Sequence, residues 1–214
     1  MSSRDEVLRR YHHLRAIGTR HHSAALKFLA RSAILEQAGR LGLAVGQMLI
    51  ADSDEELTLV FDLAIYTAKV GRSRAIDRYA KTTQLSSNSD EALMLDAMRH
   101  ARFSIWRVER RHDTVGLIVT DALRHAAAWL VDEGLEASAP NDMCFASRLC
   151  EIENFAITSG VVVPLDRHVI EDALTDALAC RHADPDQVGD DPHFAAAIYR
   201  AALDCGIMDR VAFN

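Results

Sequence analysis

The stretch from Ser104 to Pro164 has a different hydrophobic period from the rest of the chain. Within it apolar residues alternate with a period of two, whereas elsewhere they recur every three to four residues. The alternating sets are Trp106 and Val108; Val115, Leu117 and Val119; Ala127, Trp129 and Val131; Met143, Phe145, Ser147 and Leu149; and Phe155 and Ile157. Turn-forming residues separate these sets, and the β-branched run 161–163 precedes Pro164, which we expect to end it. Five or six short strands in about 60 residues predict a small antiparallel meander or barrel. A helix over Asp121–Leu130, which is rich in alanine, is the competing interpretation.

The flanking segments carry the period and the capping residues of helices. Ser3 and Ser53 each precede a glutamate by three residues, which is a capping-box spacing. We expect the first helix to be interrupted or bent at Gly18. The ranges predicted to be mainly helical are 54–69, 90–102, 166–180 and 192–205.

These elements predict an α+β protein, because helices and strands are segregated along the chain. The expected segments are an N-terminal helical region (1–103), a small β module (104–164) and C-terminal helices (165–214), which can together form one compact unit.

Charge is unevenly distributed. Residues 1–103 hold 15 basic and 12 acidic side chains, whereas 104–214 hold 9 and 19, within a net charge of −7 for the whole chain. This acidic half argues against a general nucleic-acid binder. The N-terminus lacks the apolar core of a secretory signal, and no apolar run approaches membrane-spanning length, so we expect a cytoplasmic protein that does not enter the membrane. A strong bias to arginine and alanine suggests a bacterial source with a GC-rich genome.

Candidate metal ligands are sparse. Two imidazole–carboxylate pairs have one-turn helical spacing, Asp96 with His100 and His168 with Asp172, and either could supply two ligands or an oriented base. An ordinary surface pair is the commoner outcome for such spacing. The four cysteines form no C-x-x-C pair and are expected to be small buried side chains. We therefore expect no cofactor and no tightly bound transition metal.

A basic cluster is the best anion-binding candidate. It consists of Lys69, Arg72, Arg74, Arg78 and Lys81. Arginine grips phosphate or carboxylate with two parallel hydrogen bonds. The alternative is a solvated helix face paired with nearby carboxylates.

The two tryptophans, Trp106 and Trp129, lie in the β stretch, where apolar residues occupy both parities. Both sheet faces then need cover, which predicts a homodimer with either tryptophan at or near the contact. The leading hypothesis is a non-catalytic interaction or regulatory protein that self-associates and can have a further protein partner. The alternatives are a metal-dependent enzyme whose His and Asp residues converge in three dimensions, and a phosphate or nucleic-acid binder that uses the 69–81 cluster.

Overall fold

A computed structural model of the chain describes residues 3–69, 71–166 and 191–206, and it is an α+β structure. The helices are α1 (Arg4–Leu26), α2 (Arg31–Arg40), α3 (Asp54–Tyr66), α4 (Ala75–Thr82), α5 (Asp90–His100), α6 (Glu133–Ser138) and α7 (Pro192–Asp204). The strands are β1 (Ala44–Val45), β2 (Met48–Leu49), β3 (Arg102–Arg111), β4 (Leu117–Asp121), β5 (Ala127–Leu130), β6 (Cys144–Ile152) and β7 (Phe155–Leu165).

The chain divides into two compact units. Of the described residues, 3–22 and 84–162 form the barrel unit, and 23–69, 71–83, 163–166 and 191–206 form the helical unit. This division runs across the three segments expected from sequence, because residues 3–22 and 84–103 group with the strands.

The barrel unit is built on a closed five-stranded barrel in the order β3-β4-β5-β7-β6. Pairs β3–β4, β3–β6 and β4–β5 are antiparallel, as expected, but β5 and β7 are parallel. The prediction of an antiparallel barrel is therefore wrong for the β5–β7 pair. The predicted switch to strands is confirmed, and the runs at 155–157 and 161–163 belong to one strand that continues through Pro164 to Leu165.

Alternate residues of these strands fill the barrel. The core residues contributed by the strands include Trp106, Val108, Leu117, Val119, Leu130, Phe145, Leu149 and Ala156. Leu135 of α6 and Ala139 just after it join this core. Sequence reading placed only a turn there, but Asp132 caps a short helix by accepting from the backbone N–H of Leu135 at 3.1 Å.

The segment between β4 and β5 is a turn, so the helical interpretation of Asp121–Leu130 is wrong. Asp121 is 3% exposed, and its Oδ1 accepts from the backbone N–H groups of Leu123 and Arg124 at 2.8 and 3.1 Å. Ser104 donates to the same oxygen at 2.6 Å. These bonds hold the chain in a turn that leads directly into β5.

Helix α1 runs unbroken through Gly18, contrary to the predicted interruption. A Cβ atom at this position would lie 3.1 Å from the methyl group of Met94 on α5. Glycine therefore allows the two helices of the barrel unit to approach closely. Helix α5 begins at a cap, where Ser89 Oγ accepts from the N–H of Ala92 at 3.2 Å.

The helical unit contains α2, α3, α4, α7 and the β1–β2 hairpin. Buried Tyr199 of α7 donates to Asp62 of α3 at 2.9 Å, which ties these helices together. Helix α3 ends at Tyr66 instead of residue 69, because Thr67 is extended (φ −116°, ψ 157°). Helices α5 and α7 each end within two residues of the predicted bounds, whereas the helix predicted over 166–180 lies outside the described residues.

None of the helices in the described ranges is long and apolar enough to cross a membrane. Of the cysteines, Cys150 is buried as expected, Cys144 is partly buried and Cys205 is exposed, while Cys180 lies outside the described residues.

Candidate functional site: the outer face of the barrel

The outward-pointing residues of β3, β4 and β5 form two rows across the barrel wall. Strand register places Arg110 beside Ile118 and Ile118 beside Trp129 in the first row. The second row is Arg107, Thr120 and Ala127. We call these six residues the barrel face. Each is half-buried or exposed, and neighbouring strands lie about 4.8 Å apart, so each row spans about 10 Å.

An aromatic stack marks one edge of the barrel face. The Trp129 ring lies nearly parallel to the His112 ring, with centroids 4.0 Å apart and 14° between planes. It also forms a T-shaped pair with the buried Phe155 ring, with centroids 5.8 Å apart. The indole N–H donates to Val115 O at 2.7 Å. His112 Nδ1 accepts from the backbone N–H of Thr114 at 3.1 Å, which leaves the ring proton on Nε2. The stack is therefore held in one orientation before any ligand arrives.

Charged side chains frame the other edge. Arg107 donates to Glu109 at 2.8 and 2.9 Å, and Arg110 pairs with Asp113 at 3.3 Å. The hydrogen bond from Arg107, followed by one from Thr120, lowers the pKa of Glu109 below its usual value. Both arginine side chains remain more than half exposed, at 51% and 57%, so they can exchange these partners for groups of a ligand.

Trp129 belongs to the barrel face, whereas Trp106 does not. The Trp106 side chain points into the barrel, is 5% exposed and donates its indole N–H to Ser147 O at 3.1 Å. Because the barrel closes on itself, it buries one of the two alternating sets of strand side chains without help from another molecule. The sequence argument for a dimer had assumed that both sets need additional cover. Contact of a second copy with either tryptophan stays a prediction, and burial leaves Trp106 little surface to contribute.

The basic cluster lies in the helical unit, where intramolecular bonds engage most of its cations. Lys69 pairs with Glu36 at 3.1 Å, and Arg74 pairs with Asp77 at 2.7 Å. Arg78 donates to the carbonyl oxygens of Ser73 and, at 2.6 Å, Phe28.

Arg72 and Lys81 are the remaining members of the cluster, and both are exposed. An anion at this cluster would have to displace existing partners at three of the five cations. The arrangement therefore favours the solvated, internally paired face over an anion site.

The Asp96–His100 pair lies in a cleft of about 370 Å³ that Arg102 and Glu151 also line. His100 Nδ1 donates to Asp96 O at 2.9 Å and lies 3.4 Å from Asp96 Oδ1, and both side chains are mostly exposed. Across the described ranges, no group of three or more His, Cys, Asp or Glu residues could hold a metal ion. His168 and Asp172, the other predicted pair, lie outside those ranges.

Sequence reading missed an ion cluster between α1, α5 and the β6–β7 turn. Arg10 forms two hydrogen bonds with Asp90, at 2.6 and 2.8 Å, and reaches Glu153 at 2.7 Å. His13 also contacts Asp90 at 2.9 Å. The arginine, followed by the histidine, lowers the pKa of Asp90. Because these residues are up to 143 positions apart, no local pattern could have indicated the cluster.

The fold and the barrel face define an α+β protein with a closed five-stranded barrel whose outer wall carries an aromatic and arginine surface. The chain belongs to a family of unknown function, DUF7986, whose model matches residues 5–200. No curated protein and no solved structure matches the chain significantly.

Proposed function

We propose that this chain is a non-catalytic interaction protein of the cytoplasm that binds a protein partner through the barrel face. The observation that carries the proposal is the row Arg110–Ile118–Trp129, in which an oriented tryptophan and a partly exposed arginine flank an apolar side chain. Tryptophan and arginine are the residues most enriched where protein interfaces concentrate their binding energy. Arg107 and Arg110 already bind the carboxylates of Glu109 and Asp113, so they could bind the carboxylates of an acidic partner segment in the same way.

A second candidate ligand is single-stranded nucleic acid, and the strand order favours it. In the barrel the first strand, β3, pairs with the second (β4) and the fourth (β6), and the third (β5) lies parallel to the fifth (β7). Helix α6 separates the third strand from the fourth. This is the topology of the OB-fold. OB-folds bind oligonucleotides on the face of their second and third strands, which here are β4 and β5. This is an analogy of fold, and the net charge of −7 weighs against it.

Photocrosslinking in cells of the source organism tests the proposal. A photoreactive amino acid replaces exposed Ala127 in the barrel face, and the control carries it at exposed Ala137 on α6. We expect a discrete adduct at position 127 that proteases degrade and nucleases do not, and no such adduct at 137. Failure to form an adduct at 127 would contradict the proposal.

Two variants connect the adduct to the row. Trp129→Ala and Arg110→Ala should each reduce the adduct at position 127 by at least about fivefold, since both truncate expected anchor residues. Arg110 is an exposed side chain, so this variant keeps the test valid if Trp129→Ala fails to fold. An adduct that nucleases degrade would instead support the second candidate. In that case an oligonucleotide titration should show affinity that falls steeply with salt.

A further inference from the structure

The described chain exposes large apolar side chains mainly in one short hairpin. Val45, Met48, Leu49 and Ile50 are 62%, 66%, 37% and 43% exposed, and Leu26 at 37% completes the set of exposed large hydrophobic residues in the described ranges. The hairpin consists of β1 and β2 joined at Gly46 and Gln47, and it belongs to the helical unit. Isolated two-stranded hairpins are marginally stable in water, so a partly uncovered one calls for a specific explanation.

Strand geometry places three of these side chains on one side of the hairpin. Val45 pairs with Met48, and the N–H of Ile50 donates to Leu43 O at 3.0 Å, so alternate residues Val45, Met48 and Ile50 share a face. We call these three residues the hairpin face. Its members are the most exposed of the set, whereas Ala44 and Leu49, on the other side, are more covered. Leu43, opposite Ile50, lies on the same side as the hairpin face but is 9% exposed, so that side is covered at this position.

The neighbouring backbone holds the hairpin in place. Leu43 is 9% exposed and donates its N–H to Ala38 O at 2.8 Å, and Arg31 donates to Gln47 O at 3.4 Å at the turn. The hairpin is therefore attached to α2 at both its base and its tip. A surface fixed in this way needs little ordering to bind a partner, which reduces the entropic cost of association.

We infer that the hairpin face packs against the same face of a second copy of this chain. Charge is the first argument: residues 42–51 hold no charged side chain in a chain with 31 acidic and 24 basic residues. An uncharged face offers nothing to recognise a charged partner. A two-fold contact instead places identical uncharged surfaces together and keeps the net negative charge of each copy outside the contact.

Area is the second argument, and it sets the strength of the contact. Three partly exposed side chains supply at most a few hundred Å², the size of the largest apolar patch on an ordinary monomer. Stable dimers bury about 800 Å² on each partner. The hairpin face therefore supports a weak dimer, with a dissociation constant in the micromolar range.

Sedimentation velocity over a range of about 1 to about 300 µM tests the inference. The intact chain should show a concentration-dependent shift from monomer to dimer. Met48→Ser and the double variant V45T/M48S should raise the dissociation constant at least about tenfold. Because these side chains are more than 60% exposed, circular dichroism and thermal unfolding should remain close to those of the parent.

Leu26→Ser is the matched control, since it removes an equally large apolar group that is 37% exposed but lies on α1. It should leave the dimer unchanged. The inference is overturned if the parent chain is monomeric throughout, or if the folded Met48→Ser and double variants dimerise as the parent does. The hairpin is separate from the barrel face in sequence, so neither result affects the photocrosslinking test at position 127, and the two proposals can fail independently.

Discussion

Gly116 shows how much one residue can constrain the barrel. It has a positive φ of 80°, and a Cβ atom there would collide with the carbonyl oxygen of Leu130 and lie 3.1 Å from its carbonyl carbon. That oxygen belongs to strand backbone and cannot move aside as a side-chain tip can. Gly42 has nearly the same φ of 78°, but a Cβ there would meet nothing within 4 Å.

Comparing Gly116→Ala with Gly42→Ala therefore separates backbone strain from collision. Gly42→Ala should lower the free energy of unfolding by about 1 kcal/mol, the cost of a left-handed alanine. Gly116→Ala should lower it by about 3 kcal/mol or more, since overpacking against fixed backbone adds to that strain. Urea denaturation measures both values. Equal losses would show that the β3–β4 connection shifts to make room.

At the scale of elements, the packing of α1 on α5 contains a titratable group. His21 is 3% exposed, and its Nε2–H donates to the carbonyl oxygen of Glu91 at 2.9 Å. Burial is the largest influence on His21 and lowers its pKa from the usual 6.5. The hydrogen bond to Glu91 O is the next largest and opposes this shift, whereas Arg20 adds to it and the Glu91 carboxylate opposes it. The folded chain therefore keeps this imidazole neutral at a pH where the unfolded chain protonates it.

This shift predicts a loss of stability in mild acid. As pH falls through about 6.5, the unfolded state binds a proton that the folded state does not, so the free energy of unfolding decreases. Above that pH both states are neutral at His21 and the contribution is fully present. His21→Gln keeps a donor for Glu91 O and should flatten the dependence measured by urea denaturation between about pH 7.5 and about pH 5.5.

The sequence indicated elements much better than it indicated the candidate site. Alternation of residues such as Val108, Val119 and Phe145 revealed the strands, because a barrel wall must present every second side chain to its core. The same alternation could not show whether Trp106 or Trp129 points inward, because both alternating sets of residues along these strands contain apolar side chains. Closure of the barrel decides this, and closure depends on the long-range pairing of β5 with β7.

Predictions from neighbouring residues failed where a contact with a distant part of the chain decided the structure. Gly18 indicated a break in α1, but its lack of a side chain accommodates Met94 instead. His21 is buried against α5 by a contact 70 positions away, which no local pattern could have indicated.

For the whole molecule, we predict that the purified chain carries no stoichiometric transition metal. Within the described ranges no group of three or more His, Cys, Asp or Glu side chains could hold a metal ion, and the sequence has no closed Cys/His spacing. Elemental analysis after desalting should find less than about 0.1 zinc, iron, copper or manganese per chain, and a chelator should leave the melting temperature unchanged. About one ion per chain would contradict this and favour the metal-dependent enzyme.

Helix α1 packs on α5, but it is synthesised well before its other partners in the barrel unit, which lie between α6 and β7. Arg4 binds Glu136, Arg10 binds Glu153, and Arg15 donates to the carbonyl and hydroxyl oxygens of Thr158. On the ribosome, α1 therefore cannot form these three sets of bonds until the chain has been made through Thr158, although α5 is available to it earlier. A nascent chain halted before Phe155 should leave residues 4–15 more open to protease than one halted after the last barrel strand has emerged.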